Sequence, residues 1–262
     1  MKRAIFSLSL LLLSHSTLSA ETWPQFRGSD GVAAIDGSKI PLQWGANENL
    51  KWKTDLPGPG SSSPIYWENK LFVTCYTGYG IDQKNIGEPE DLGRSILCLD
   101  RASGKILWEK KIPLANPDDD YRGYLTEHGY ASPTPVTDGK HVFASFGKSG
   151  VHAFTLEGEK VWSKDVGDSS SNRRWGSAAS PILYRDLLIV NASDESKAII
   201  AFEKTTGQEK WRYESKQLEL TYNTPTLHAP KDGRSDLLIA APDVRFALDP
   251  TTAQKLALPL IP

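Results

Sequence analysis

Between residues 61 and 257 the chain is a succession of short apolar runs set apart by Gly, Pro, Asp and Asn. Leu71-Phe72-Val73, Val142-Phe143-Ala144, Leu187-Leu188-Ile189-Val190 and Leu237-Leu238-Ile239-Ala240 are of this kind. No stretch of ten or more residues carries an apolar period of 3.6, so the pattern predicts strands rather than helices. The runs fall into four similar units. The first passes through Ser62-Ser63-Pro64-Ile65, Lys70-Leu71-Phe72-Val73-Thr74, Leu97-Cys98-Leu99-Asp100 and Ser103-Gly104-Lys105-Ile106-Leu107-Trp108. The second passes through Ala131-Ser132-Pro133-Thr134, His141-Val142-Phe143-Ala144, Val151-His152-Ala153-Phe154 and Glu157-Gly158-Glu159-Lys160-Val161-Trp162. The third has Ala179-Ser180-Pro181-Ile182, Leu187 to Val190, Ile199-Ile200-Ala201-Phe202 and Thr206-Gly207-Gln208-Glu209-Lys210-Trp211. The fourth has Asn223-Thr224-Pro225-Thr226, Leu237 to Ala240, Phe246-Ala247-Leu248-Asp249 and Thr252 to Ala257.

Trp52, Trp108, Trp162 and Trp211 follow one another at intervals of 56, 54 and 49 residues. Four antiparallel strands per unit of that length predict an all-β propeller, whose blades bury their faces only against neighbouring blades. The Gly of each Thr-Gly or Ser-Gly pair suits the turn between third and fourth strands, since it tolerates positive φ. The four tryptophans are then structural wedges between sheets. Pro is tolerated at the first residue of a strand, so each Ser/Thr-Pro pair is expected to open an innermost strand. That places Ser63, Ser132, Ser180 and Thr224 at one mouth of the central channel.

The repeated order of small residue-Pro, apolar strand, Ala-Leu-Asp-like strand, Thr-Gly-Lys-like turn and Trp resembles the repeat of the pyrroloquinoline-quinone-like β-propeller family, from about Ser61 to Ala257. Trp23-Pro24-Gln25-Phe26-Arg27-Gly28, with Trp44 and Leu50-Lys51-Trp52-Lys53, is similar to the opening of its exported bacterial members. The resemblance implies a lead-in over residues 21–60 that gives an outer strand to the closing blade. Relatives of this kind include quinone-dependent dehydrogenases and the propeller subunit of the outer-membrane β-barrel assembly machinery. A shared fold does not choose between those functions.

Composition narrows the choice. Thirty basic residues against 32 acidic ones give a net charge of −2, which leaves no electrostatic footprint for nucleic acid. Met1-Lys2-Arg3, the apolar stretch from Ile5 to Leu13 and Ser19-Ala20 before Glu21 predict a signal peptide over residues 1–20, cleaved near Ala20. The destination is periplasmic or secreted, with no membrane span. Export permits a disulfide, but two cysteines, Cys75 and Cys98, cannot staple a chain of 262 residues and are expected to be buried free thiols.

In quinone-dependent dehydrogenases the resemblance implies a disulfide between adjacent cysteines, a stacking Trp and a calcium site of carboxylate and amide oxygens. Cys75 and Cys98 are not adjacent, and Asp118-Asp119-Asp120 read as solvated loop charge, so the expectation is no quinone, no calcium and no other metal. There is no Gly-x-Ser-x-Gly elbow and hence no candidate catalytic residue. His141, His152 and His228 fall on strand runs, whereas His128 leads into Ser132-Pro133 at the channel mouth. Asn172-Arg173-Arg174-Trp175 enters the third unit, and paired arginines beside an indole suit a carboxylate or a peptide. His128, Tyr130, Arg173, Arg174, Trp175 and Tyr222 are therefore the candidate binding rim. Two long loops, Tyr76 to Ser95 and Pro113 to Tyr121, add recognition surface. The reading is an exported, non-enzymatic scaffold for protein or peptide partners; the alternatives are a quinone-dependent oxidoreductase and a carbohydrate or extracellular-matrix binder.

The fourth unit ends on Ala257 where the repeat calls for Trp. Four blades lie at the low end for propellers. An open or truncated ring is expected, with a raw sheet edge available for pairing.

Overall fold

The structure is a computed structural model describing residues 22–29, 31–34, 40–229 and 233–257. The predicted signal peptide lies outside them. The first blade pairs β1 (Ile65–Trp67), β2 (Lys70–Thr77), β3 (Gly93–Asp100) and β4 (Ile106–Ile112) in sequence order. The second pairs β5 (Val136–Thr137), β6 (His141–Ser145), β7 (Val151–Thr155) and β8 (Lys160–Lys164). The third pairs β9 (Ile182–Tyr184), β10 (Leu187–Ala192), β11 (Ala198–Glu203) and β12 (Glu209–Glu214). The fourth sheet has three strands, β13 (Thr226–His228), β14 (Asp236–Ala240) and β15 (Arg245–Leu248), and a single bridge from Leu248 to Lys255 begins an outer strand. Apolar clusters join the first sheet to the second, the second to the third and the third to the fourth, but among the described residues none joins the fourth to the first, so the propeller is an open arc.

Each junction between blades carries its own apolar core. Phe72, Ile96, Val142 and Phe154 meet at the first, Phe143, Val151, Leu188 and Ile200 at the second, and Ile189, Trp211, Leu237 and Phe246 at the third. Between third and fourth strands the register slips once, at Cys98/Leu99, Ala153/Phe154 and Ala201/Phe202. The slip follows the small residue that pairs with Trp108, Trp162 or Trp211. A bulge re-aims the outer strand there, and the indole reaches the next blade. The ring N–H groups of Trp52, Trp108, Trp162 and Trp211 donate to the carbonyls of Arg101, Leu156, Lys204 and Pro250, at 3.0, 3.0, 2.9 and 3.1 Å. The turn glycine lies beneath the ring: a Cβ on Gly158 would stand 2.9 Å from Trp108, and one on Gly207 2.7 Å from Trp162. The Gly is thus needed for positive φ and for the neighbouring blade's tryptophan. In the fourth blade Ala253 holds the equivalent turn at φ 62°.

A second link runs along the channel. The backbone N–H groups of Ser63, Thr134 and Ser180 donate to the side-chain oxygens of Thr134, Ser180 and Thr224, at 3.0, 2.9 and 3.0 Å. This hydroxyl ladder moves the expected start of the second blade: Thr134-Pro135, not Ser132-Pro133, is equivalent to Ser63-Pro64, and β5 begins right after it. Two consecutive X-Pro pairs made the spacing ambiguous in sequence, and the ladder selects the one whose hydroxyl reaches the neighbouring blade. Ser180→Ala leaves the buried Thr134 N–H without an acceptor and is expected to cost about 1–3 kcal/mol in urea unfolding. Ser180→Thr should restore most of it; equal losses in both variants would remove the ladder from the account.

The lead-in behaves differently from the expected outer strand. Trp23 forms a two-bond bridge with Tyr66 on the channel side of β1, at 3.0 and 2.9 Å, and the Pro24 carbonyl accepts the Thr137 N–H at 2.9 Å. Residues 22–25 are therefore an inner addition to the first two blades. Trp52 does take an anchor's place, over Gly104, but Lys51 to Thr54 belong to no sheet. The Pro59 carbonyl, which accepts the Tyr76 N–H at 2.9 Å, ties this segment to β2 instead.

Candidate functional site at the channel mouth

The loops that lead from each fourth strand into the next blade, and the β6–β7 and β10–β11 turns, gather at one end of the arc. A four-residue helix, α1 (Leu125–His128), closes on Gly129, whose N–H returns to the Leu125 carbonyl at 2.9 Å. Gly129 has φ +67°, and a Cβ there would stand 2.3 Å from the Tyr76 ring. The turn delivers His128 between two loops: Nε2 lies 2.8 Å from the Trp175 carbonyl and Nδ1 2.6 Å from Ser132 Oγ. A carbonyl only accepts, so Nε2 carries a proton and donates to Trp175, while the Ser132 hydroxyl that lies against Nδ1 donates to the His128 carbonyl at 3.0 Å. His128 thus clamps the β8–β9 loop to the β4–β5 loop.

That clamp holds Trp175 in an aromatic row. Tyr124 meets it edge-on at 4.4 Å, Tyr222 lies 5.6 Å away on the other side, and the Arg173 guanidinium sits 5.7 Å over the ring. Tyr124 is 55% exposed, and Arg173 is exposed with no ion pair among the described residues. Burial pushes the Tyr222 hydroxyl up to about 12, and that hydroxyl shares a 3.1 Å hydrogen bond with Ser171. Five of the six predicted rim residues, His128, Arg173, Arg174, Trp175 and Tyr222, therefore lie together. Tyr130 does not: it is buried among Tyr76, Tyr79 and Tyr121, and its hydroxyl donates to the Asp119 carbonyl at 2.7 Å.

Beneath the rim is a charged layer that the sequence reading missed. Asp119 is 4% exposed and takes Lys148 Nζ at 3.4 Å, Ser170 Oγ at 2.7 Å and Arg174 at 3.7 Å. Asp118 pairs with the buried Arg94, whose Nε also donates to the Tyr130 carbonyl at 3.1 Å. Only Asp120 of the acidic triplet is solvated. Tertiary contact supplies the difference, because Arg94 and Lys148 arrive from the first and second blades. The turn α2 (Ser193–Ser196) adds Asp194 and Glu195, both buried. Burial lifts both carboxyls, Glu195 to about 7, and Ser177 donates to the latter. Asp194 Oδ2 has no partner and lines, with Glu195 and Lys148, a cavity of about 20 Å³, room for one water.

Toward the axis lies a cleft of about 750 Å³. Gln25, Phe26 and Arg27 of the lead-in form one wall, and Ser180, Tyr222 and Thr224 to Leu227 face them.

The four stacked antiparallel sheets, the tryptophan anchors and the axial cleft define a β-propeller of pyrroloquinoline-quinone-like repeats. The family described as outer membrane protein assembly factor BamB matches residues 92–255, and the chain belongs to it. Among solved structures, BamB from Moraxella catarrhalis is similar at 18% identity and TM-score 0.51, over 80% of this chain and 54% of that one. A europium-containing methanol dehydrogenase is similar at 15% identity and TM-score 0.55, over 78% of this chain and 44% of that one. The chain thus spans about half the length of either, and the likeness shows the fold. No curated protein matches the sequence.

A quinone held with calcium at the axis would need carboxylate ligands there. No carboxylate lines the cleft among the described residues, so a divalent cation there would lack an anionic ligand. Cys75 and Cys98 are free, buried in separate clusters on neighbouring strands, with thiols pushed up to about 11 and about 12 by burial. Among the described residues no three His, Cys, Asp or Glu side chains gather as a metal site, and no helix is long and apolar enough to cross a membrane.

Proposed function

We propose that the protein is an exported, non-enzymatic scaffold that binds a polypeptide partner at the channel mouth. One observation carries this reading. An exposed arginine with no ion pair among the described residues lies over a tryptophan contacted by two tyrosines, and the row is fixed by His128 and by the buried Asp119 layer. Aromatic and arginine side chains in a rigid, partly desolvated setting are the anchors that dominate protein interfaces. Their chemistry suits a carboxylate on an extended or loop segment. The charged, apolar and small-residue pattern of residues 1–20 reads as a leader and supports export.

A photo-crosslinking residue placed at Tyr124 in the full chain tests the reading in envelope extracts of the producing cell. Polypeptide adducts are expected, and replacing Arg173, Arg174 and Trp175 by Ala should remove them. Recovery of no polypeptide adduct, or adducts indifferent to the triple replacement, would overturn the proposal.

A further inference from the structure

The channel of this protein already holds a segment of its own chain, paired to β1 through a single bridge. Trp23 exchanges two backbone hydrogen bonds with Tyr66 on the free side of β1, and Pro24 then accepts from Thr137 of β5. The lead-in thus takes up part of the inner edges of the first two blades in cis, with two bonds to β1 and one to β5. On the opposite side of the cleft, β13 stands at the edge of its sheet, with no strand on its channel side among the described residues. Thr226 is exposed and Leu227 is 37% exposed there. An accessible strand edge is a template for a further strand.

The electrostatics indicate what such a strand carries. The chain as a whole has more acidic than basic residues, yet the cleft is lined by Arg27 and His128 and by no Asp or Glu among the described residues. Arg27 is exposed, lies 5.4 Å from the Phe26 ring and has no ion pair among the described residues. Asn223, on the facing wall beside β13, has a buried Oδ1 with no hydrogen-bond donor among the described residues. Tyr222 links this wall to Trp175 and Arg173 at the rim.

We infer that the cleft receives an extended, acidic peptide segment of the partner, which adds to the inner edge of β13 as Trp23 adds to β1 and sets a carboxylate on Arg27. This rests on the polypeptide-binding reading above and names the chemistry and position of the bound segment. Backbone bonds to β13 would give affinity, and Arg27 would favour acidic sequences.

The test pans a phage-displayed library of linear peptides against the full chain, then measures synthetic copies of the selected peptides by fluorescence anisotropy. Selected sequences should be enriched in Asp and Glu. Arg27→Gln should weaken them at least tenfold, a side-chain change that keeps length at a surface position. Because a protein variant can lose binding by misfolding, the second arm alters only the ligand: methylating alternate backbone nitrogens of the peptide should abolish binding at some positions and spare those between. Peptides that bind Arg27→Gln and the parent equally, or that tolerate methylation throughout, would overturn the inference while polypeptide adducts from Tyr124 leave the broader reading standing. Glycan binding in the cleft with no peptide selected would overturn it as well. Absence of Tyr124 adducts would instead remove the broader reading.

Discussion

Trp162→Ala is expected to destabilise the protein by about 3–5 kcal/mol, the range for deleting a buried tryptophan. Trp162 is 7% exposed, packs on Phe143 and Phe202 at 5.9 and 6.1 Å, and donates to the Lys204 carbonyl across the blade junction. The loss is therefore a loss of blade-to-blade adhesion, and urea unfolding should show a lower midpoint. The partner in this contact is Gly207, where φ is +70° and a Cβ would meet the indole at 2.7 Å. Gly207→Ala carries two costs: the left-handed backbone, roughly 1–2 kcal/mol for an L residue, and the collision with the ring. Only the second needs Trp162. In the Trp162→Ala background the Gly207→Ala penalty should shrink to the backbone part, giving a clear non-additivity in the double-mutant cycle. Ala253 at φ 62° shows that the backbone part alone is bearable in this fold. Strict additivity would mean that ring and turn do not clasp each other.

Glu195→Gln should remove a pH-dependent destabilisation and leave stability at low pH unchanged. Burial raises the Glu195 carboxyl from 4.5 to about 7, opposed by the Ser177 hydroxyl and reinforced by the neighbouring Asp194 charge. Below about pH 4.5 the group is protonated in both folded and unfolded chains and contributes nothing. Between 4.5 and 7 the folded chain keeps a proton that the unfolded chain has released, so stability falls as pH rises. Above 7 the folded state holds the desolvated carboxylate at its full cost, about 3 kcal/mol at 1.36 kcal/mol per unit. Asp194, also raised by burial, acts in the same direction, and Lys148 opposes both. Urea unfolding across pH 4.5 to 8 should therefore show the variant gaining on the parent as pH increases. A constant difference between the two would place the titration elsewhere.

The repeat was legible because a blade is written locally. An alternating apolar strand, a Gly turn and a Trp recur within each unit, and each blade uses them in the same contact, so one period predicts the other three. The Ser/Thr-Pro pairs were legible for the same reason, except in the second blade, where Ser132-Pro133 and Thr134-Pro135 compete and only the hydroxyl ladder separates them. The grouping of His128, Arg173, Arg174, Trp175 and Tyr222 at one end of the arc was legible. Tyr130 and the Asp118–Asp119 pair were not, since exposure depends on what neighbouring blades bring. Tyr130 is covered by three tyrosines, and Asp119 is enclosed by Lys148, Ser170 and Arg174. Glu195 lacked any signal: a four-residue turn reading Ser-Asp-Glu-Ser looks solvated until Ser177 and Lys148 close over it.

Sequence by itself determined the strand order, the turn chemistry, the tryptophan anchors and the family, because each depends on side-chain periodicity and backbone permissiveness within some fifty residues. Tertiary structure decided the rest. It placed the lead-in inside the channel against β1, buried the acidic layer under the rim, and left the edge of β13 open to the cleft. Those features arise where loops from different blades converge, and their energies come from desolvation and from hydrogen bonds between residues far apart in the chain. A linear pattern carries no record of which distant partner will satisfy a buried charge or a free strand edge.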